Sequence, residues 1–234
     1  RGLGDVYKRQ LRTSVMNEDM ISSAELTRAA CCNLGESFVT NPSVDVSYSD
    51  AATGAKQIKL LGLSGTYVQM MTENIPNFRG AAAPYGLGYV PGPWMQSIQV
   101  SKGSSSVKNG YESITGQINV EFKKPQLPEA DWVSANLFAS STNRYEANAD
   151  ATVKLSKRWS TSLLAHYENE TKSHDSNDDG FVDIPRVEQY NVWNRWAYMG
   201  DHYVFQAGIK ALHETRNSGQ IAHGNTPSHD LYEI

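Results

Sequence analysis

The residues whose types and spacing best suit chemistry lie between His174 and Asp183. Asp175, Asn177 and Asp179 occupy alternate positions, Gly180 follows, and Asp183 comes three residues later. This is the spacing with which a calcium loop gathers oxygen ligands at positions 1, 3 and 5 and turns sharply on a glycine at 6. Phe181 can offer a carbonyl at position 7, and Asp183 falls at position 9. Position 12 is Arg186 rather than a bidentate Glu, so the full helix–loop–helix calcium motif is absent. Carboxylates crowded in this way repel one another without a cation. The segment is expected to bind Ca²⁺, with Asp175, Asn177, Asp179 and Asp183 as ligands. An acidic, solvated loop is the competing reading. No residue pair elsewhere shows catalytic logic, so an enzyme is not expected. The six His are scattered, with His174 beside the acidic segment and His213, His223 and His229 near the C-terminus. Solvated loop residues fit them better than haem or metal ligands. Cys31 and Cys32 are adjacent and are the only cysteines. They are too few for a zinc site and badly placed for a mutual disulfide, and they suit buried thiols on a helix.

The elements that must position these residues fall into two halves of different character. From Ile21 to Leu34 the spacing predicts a helix, with Ser22 as N-cap and Glu25 as its capping-box partner. A short turn over Glu36–Thr40 follows. Strands are expected at Val44–Tyr48, Ile58–Leu63, Tyr67–Met71, Met95–Val100 and Ile114–Phe122. A polar turn at Ser49–Gly54 and a long Gly/Pro-rich loop at Asn74–Pro93 lie among them. Pro125 and Pro128 then mark a linker.

Beyond the linker, alternation dominates. Tyr145, Ala147, Ala149, Ala151 and Val153 face one way, and Glu146, Asn148, Asp150, Thr152 and Lys154 the other. That period of two belongs to a strand with one apolar and one polar face. It recurs, less cleanly in places, over Val133–Ala139, Trp159–Tyr167, Tyr190–Met199 and Tyr203–Ala211. Asn194 falls on the apolar side of its strand and Trp193 on the polar side. Tight turns at Ser156–Arg158 and Gly200–Asp201 contrast with a long connection over Asn169–Gln189. Outer-membrane barrels segregate short and long connections in this manner, whereas a soluble sandwich has no reason to. Twelve Tyr and five Trp suit aromatic girdles at a membrane interface. Mean hydropathy is only −0.50, which barrel strands permit because polar and apolar residues alternate. The net charge of −4, with no basic run, argues against a nucleic-acid partner.

The stretch Trp94–Lys124 carries the most specific signal. Ile98-Gln99-Val100-Ser101-Lys102-Gly103 and Gly110–Val120, ending in Gly116-Gln117-Ile118-Asn119-Val120, resemble the end of the plug domain of TonB-dependent outer-membrane receptors. Gly35–Val44 is similar to that family's early plug helix and the segment after it. Ile58-Lys59-Leu60-Leu61-Gly62 departs from the usual I-R-G signature, Gln99 stands where Glu is common, and Thr115 where a first Gly is frequent.

The resemblance implies an α+β plug domain followed by antiparallel transmembrane β-barrel strands, a fragment of a plugged barrel of about 22 strands. Five strands cannot close such a barrel. It implies active import of a scarce nutrient (chelated metal, cobalamin, haem or similar) across the bacterial outer membrane, with the plug gating the barrel. The implied partners are the TonB–ExbB–ExbD complex, the small-molecule nutrient, outer-membrane lipid and an accessory surface lipoprotein. A TonB box is implied but none is visible. The overall tone leans to the cobalamin-receptor subgroup, some members of which use calcium in outer loops. Substrate contacts are expected at outward-facing plug segments: Tyr85, Tyr89 and Trp94 in one loop, Tyr48 and Asp50 in a neighbouring apex. The alternatives are a passive or adhesive outer-membrane barrel and a soluble secreted calcium-dependent binding domain. Asp5–Gln10 back-translates to a string like the transposon end of sequencing libraries. Residues 1–10 are therefore expected to be a read-through scar, residues 11–124 the plug, and residues 125–234 truncated barrel.

Overall fold

A computed structural model describes residues 17–28, 33–38, 41, 44–50, 53–104, 112–125 and 132–221. Residues 1–10, Cys31, Cys32, Gly110, His223, His229 and the linker around Pro128 lie outside the described residues. The chain divides into two compact units. One comprises Arg1–Ser47 and Lys56–Pro128, the other Tyr48–Ala55 and Glu129–Ile234.

The first unit is built on a mixed five-stranded sheet. Strands β1 (Asn17–Ser22), β6 (Met95–Lys102), β7 (Gly116–Phe122), β4 (Val68–Thr72) and β5 (Ile75–Pro76) lie side by side in that order. Only the β4–β7 pair is parallel. β2 (Val44–Asp50) and β3 (Ala55–Leu60) form a separate two-stranded sheet. The helix expected over Ile21–Leu34 is shorter than its pattern suggested. Ile21 and Ser22 belong to β1, paired with Ile98 and Ser97, and helix α1 is confined to Ser23–Arg28 within the described residues. Half of the capping box forms: Glu25 Oε2 accepts from the Ser22 amide at 2.7 Å and the Ser22 hydroxyl at 2.9 Å. The expected loop over Asn74–Pro93 also contains β5, a 3-10 turn at Gly80–Ala82 and a one-turn helix α2 at Ala83–Gly86.

β7 is central and almost wholly buried. Ile118, Val120 and Phe122 pack in the core with Ile98, Val100 and Leu60. Its other face carries Asn119 and Glu121, buried polar groups that need partners. Asn119 Oδ1 accepts the Asn74 amide at 2.8 Å, and its Nδ2 donates to Glu121 Oε1 at 3.0 Å. Lys124 Nζ lies 2.6 Å from Glu121 Oε2. Asn74 and Glu73 both have positive φ, in the two-residue turn joining β4 to β5. Asn119 thus holds the tip of a hairpin, a physical role for the Asn of the G-x-I-N run. Gly116 has an equally local role. A Cβ there would collide with the Ser101 carbonyl and with Leu60 Cδ2, so the neighbouring strand can approach only a glycine.

The second unit contains a wholly antiparallel meander, β12-β11-β10-β9-β8. Its strands are β8 (Val133–Ala139), β9 (Arg144–Lys154), β10 (Trp159–Glu170), β11 (Arg186–Met199) and β12 (Val204–Asn217). The long connection is shorter than the sequence suggested, Thr171–Pro185 rather than Asn169–Gln189, because Asn169 and Glu168 still pair with Glu188 and Gln189. Tight connections at Leu155–Arg158 and Gly200–Tyr203 lie at the opposite end from the long one.

Burial in this sheet is inverted relative to a water-soluble one. Glu146, Asn148, His166, Glu168, Gln189 and Asn191 are buried, whereas Val153, Leu163, Val192, Trp196 and Ile209 are exposed. Among the described residues of the sheet only Leu164 and Ala197 are buried hydrophobics. The buried row is knit together. Arg144 reaches Glu146 at 2.7 Å and Glu168 at 2.9 Å, and His166 Nδ1 lies 2.8 Å from Asn148 Oδ1. The exposed row is bounded by aromatics. Trp159, Tyr198 and Tyr203 form a chain with ring separations of 5.1 and 5.3 Å near the tight turns. Tyr167 and Tyr190, 4.9 Å apart, mark the other end. Asn194, polar on the exposed face, is satisfied: its Nδ2 donates to the Ser162 carbonyl at 3.2 Å and its Oδ1 accepts from Trp196 Nε1 at 2.6 Å. Trp193, on the polar face, lies beneath the Arg195 guanidinium at 4.7 Å. An exposed apolar band between two aromatic rows fits a sheet that faces hydrocarbon.

Two outcomes follow. Gly116→Ala should destabilise the first unit by about 1–3 kcal/mol through overpacking, read from denaturant unfolding of the chain. Leu163→Arg, midway between the aromatic rows, should cost about 2–4 kcal/mol on insertion of the complete protein into lipid vesicles. Unimpaired insertion would contradict a lipid-facing band.

Candidate functional site

Three segments carry the residues singled out by sequence. The first is 77–94, in the first unit. Phe78 adopts a left-handed backbone (φ 53°) and stands 6.3 Å from the Tyr89 ring. Its side chain fills the space over Gly86, where any Cβ would collide with it. The turns after α2 are closed by Gly88 and Tyr89 amides donating to the Tyr85 and Gly86 carbonyls at 2.9 and 3.2 Å. Arg79 pins the segment. Its Nε lies 2.9 Å from both oxygens of Glu112, and Nη2 lies 2.8 Å from Oε1. Tyr85 and Tyr89 are thus brought into one short segment and are half-buried.

Trp94 does not join them. It is only 1% exposed and packs edge-on against Phe122 at 6.3 Å, so the expectation that it meets substrate is corrected. The cause is its place at the end of a 3-10 turn, Gly92–Trp94, leading straight into β6, whose alternate positions face the core. Phe78 and the Arg79–Glu112 pair were missed by the sequence reading. A positive-φ Phe has no sequence signature, and the ion pair joins residues far apart in the chain.

The second segment is the end of β2 and the start of β3. Tyr48 is 58% exposed and Asp50 is exposed. Asp50 Oδ2 accepts the Thr53 hydroxyl at 2.6 Å, and the Ser49 hydroxyl donates to the Ala55 carbonyl at 3.1 Å. Tyr48 and Asp50 belong to the second unit, whereas Tyr85 and Tyr89 belong to the first.

The third segment is the acidic loop. Its carboxylates accept backbone amides: Asp175 from Asp179 (3.2 Å) and Gly180 (2.9 Å), Asp179 from Phe181 (2.8 Å), and Asp183 from Ser176 (2.7 Å). Asn177 Nδ2 donates to Asp179 Oδ2 at 3.0 Å. The Ser176 amide and hydroxyl hold the Asp183 carboxyl below its ordinary value of 3.8, and the nearby His174 charge adds to this. Asp178 and Gly180 take positive φ, and Phe181 bridges to Gln220. His174 Nε2 lies 2.6 Å from the Thr142 carbonyl. The donors are all oxygens, as a hard cation needs. As arranged they close the loop on its own amides, and among the described residues no three His, Cys, Asp or Glu side chains gather to hold a metal.

With this geometry in hand, comparison with known proteins is informative. The TonB-dependent Receptor Plug Domain family matches residues 10–117. No curated protein sequence matches the chain. Among solved structures, the chain is similar to the ferric-catecholate import receptor Fiu from E. coli K12 (TM-score 0.65, 19% identity, covering 88% of this chain and 28% of that one). It is similar to the ferric yersiniabactin uptake receptor FyuA from Yersinia pestis (TM-score 0.65, 16% identity, 88% and 32%). The copper transporter OprC is a third (TM-score 0.69, 14% identity, 88% and 32%). At these identities the likeness establishes the fold, and the chain spans about a third or less of each receptor's length. The family and these neighbours are receptors and transporters rather than enzymes. Residues 10–117 therefore match the TonB-dependent Receptor Plug Domain, and the antiparallel strands that follow them share the fold of such receptors.

Proposed function

We propose that the complete receptor containing this chain imports a chelated metal across the bacterial outer membrane, energised by TonB with ExbB and ExbD, the plug acting as the gate. The observation that carries this is a plug-family segment preceding a sheet whose exposed face is apolar and bounded by aromatics. The substrate class is supported by the printed names of its structural neighbours, two receptors for iron chelates and a copper transporter. Nothing in the site favours cobalamin or haem over these. Tyr85, Tyr89, Tyr48 and Asp50 are the proposed substrate contacts. Half-buried aromatic rings beside glycine offer flat surfaces to a bulky chelate while keeping a polar hydroxyl available. An accessory surface lipoprotein remains a proposed partner carried by the family resemblance alone.

A calcium ion held by Asp175, Asn177, Asp179 and Asp183 is a second part of the proposal. Its support is the D-x-N-x-D-G-x-x-D spacing. Binding would require some of the carboxylate oxygens to turn from loop amides toward the cation.

Cells bearing the complete receptor should accumulate a radiolabelled ferric chelate only when TonB is present. Accumulation indifferent to TonB would favour a passive barrel. Tyr85→Ala or Tyr89→Ala should raise the half-saturation concentration by about tenfold, read from a concentration series at equal receptor abundance. Calorimetric titration should show Ca²⁺ uptake in the range of about 10⁻⁴–10⁻³ M typical of extracellular sites, lost in Asp179→Asn; no heat at millimolar Ca²⁺ would remove the ion from the proposal. The pH response of the loop has a definite sign. Asp183 has a folded pKa below its unfolded 3.8, so its stabilisation is complete above 3.8 and is lost as pH falls through the lower folded value. Amide exchange in the loop should accelerate on acidification through that window, and Asp183→Asn should abolish the dependence.

A further inference from the structure

Tyr48–Ala55 lies inside the plug-family segment, yet it groups with the strands of the second unit. One side chain of β12 reaches this turn. Arg216 Nη1 donates to the Thr53 carbonyl at 2.8 Å, across a sequence separation of 163 residues. The remainder of the guanidinium is already oriented. Nε and Nη2 both donate to Glu214 Oε1, at 3.1 and 3.0 Å. Glu214 Oε2 in turn accepts from Gln189 Nε2 at 2.8 Å, its direct partner in the β11–β12 register. A planar, rigid guanidinium anchored on one edge presents its remaining donor in a fixed direction.

The turn is shaped to receive it. Gly54 has φ 67°, a left-handed conformation that favours glycine. A Cβ on Gly54 would stand 3.1 Å from Arg216 Nη1 and 3.1 Å from Pro185 Cγ, tight against both. Thr53 works in two directions: its carbonyl meets Arg216 and its hydroxyl meets Asp50. The chain of contacts therefore runs from the sheet, through Gln189, Glu214 and Arg216, to Thr53 and on to Asp50.

We propose that Arg216 is a positioning residue for substrate recognition. It tethers the turn that presents Tyr48 and Asp50, fixes their placement, and so sets affinity at that turn without itself touching substrate. The proposal rests on the reading of Tyr48 and Asp50 as substrate contacts. Because the acceptor at Thr53 is main chain, the tether does not depend on the side chain there. Thr53→Val should break the link to Asp50 and leave Arg216 bound.

The test uses the complete receptor in detergent and needs no substrate for its first arm. Hydrogen exchange of the Thr53, Gly54 and Ala55 amides should rise about tenfold in Arg216→Gln, the loss of one charge-assisted hydrogen bond, with β10 and β11 unaffected. Arg216→Lys, which keeps a cation, should restore part of the protection. Glu214→Gln, which only loosens the guanidinium, should produce a smaller rise. Unchanged exchange in Arg216→Gln overturns the tether, as does an equal rise throughout β10–β12, which would make Arg216 a strand-stability residue. The second arm measures uptake of a radiolabelled ferric catecholate. Arg216→Gln should raise half-saturation about tenfold and leave the maximal rate unchanged. Looser amides with unaltered half-saturation would overturn the positioning role while leaving import intact. Absence of any TonB-dependent uptake in the unsubstituted receptor would overturn the import reading and with it the role in recognition, while the exchange arm would still decide the tether.

Discussion

A strand places successive side chains on opposite faces, and a backbone in hydrocarbon must satisfy every N–H and C=O within the protein. The second unit depends on these two constraints together. Antiparallel pairing through β8, β9, β10, β11 and β12 supplies the hydrogen bonds, and alternation then forces each strand to choose which set of side chains it exposes. In β9, β10 and β11 the exposed set is largely apolar. Leu163 and Ile209 share one row through Asn194, and Val192 is paired with Ala165 in the next. The turned-in set is polar and linked across strands, as in the Arg144–Glu146–Glu168 and Asn148–His166 groups. A one-residue slip of β9 or β10 would send Glu146 or Glu168 into the exposed band, so the polar row also fixes the register.

The plug obeys the opposite rule. Most of its apolar residues are inside, although Leu61, Leu63, Ile75 and Ile114 are exposed, and its buried polar groups have specific roles. Asn119 shows how a family motif can have a local physical cause. Its amide holds the β4–β5 turn through Asn74 and supports Glu121, which Lys124 neutralises. Gly116, three residues earlier, is required because the Ser101 carbonyl and Leu60 occupy the space a side chain would take. For Gly116 the close approach is internal to the plug sheet.

The proposed functional residues sit where neither rule is strict, in turns, in connections and at the end of β2. The acidic loop closes on its own amides and bridges to Gln220. The 77–94 segment is pinned by Arg79 and Glu112. The turn after β2 is held by Thr53 and Arg216. In each case a charged or hydroxyl side chain fixes the backbone so that nearby rings or carboxylates have a defined place. Loops positioned in this way by a rigid scaffold are a common seat of binding function.

Much of the architecture was legible beforehand because it rests on period and turn chemistry, which are local. The alternation over Val133–Ala139 predicted β8 residue for residue, and each of the five alternating segments contains a strand. Strand ends were less legible: β10 and β11 run past Tyr167 and begin before Tyr190 because cross-strand pairing extends them. The Ile21–Leu34 pattern read as helix, yet pairing with β6 draws Ile21 and Ser22 into β1. Trp94 read as a loop aromatic, yet the step from a 3-10 turn into β6 turns it into the core against Phe122. The sequence by itself determined the run of barrel strands along the chain and the apolar face of most of them, since these follow from residue spacing, while the plug was legible through the family resemblance of Trp94–Lys124. Only the tertiary structure decided that Trp94 is buried, that Asn119 serves Asn74, and that Arg216 reaches Thr53. Those contacts join residues tens to more than a hundred positions apart, and no local periodicity encodes them.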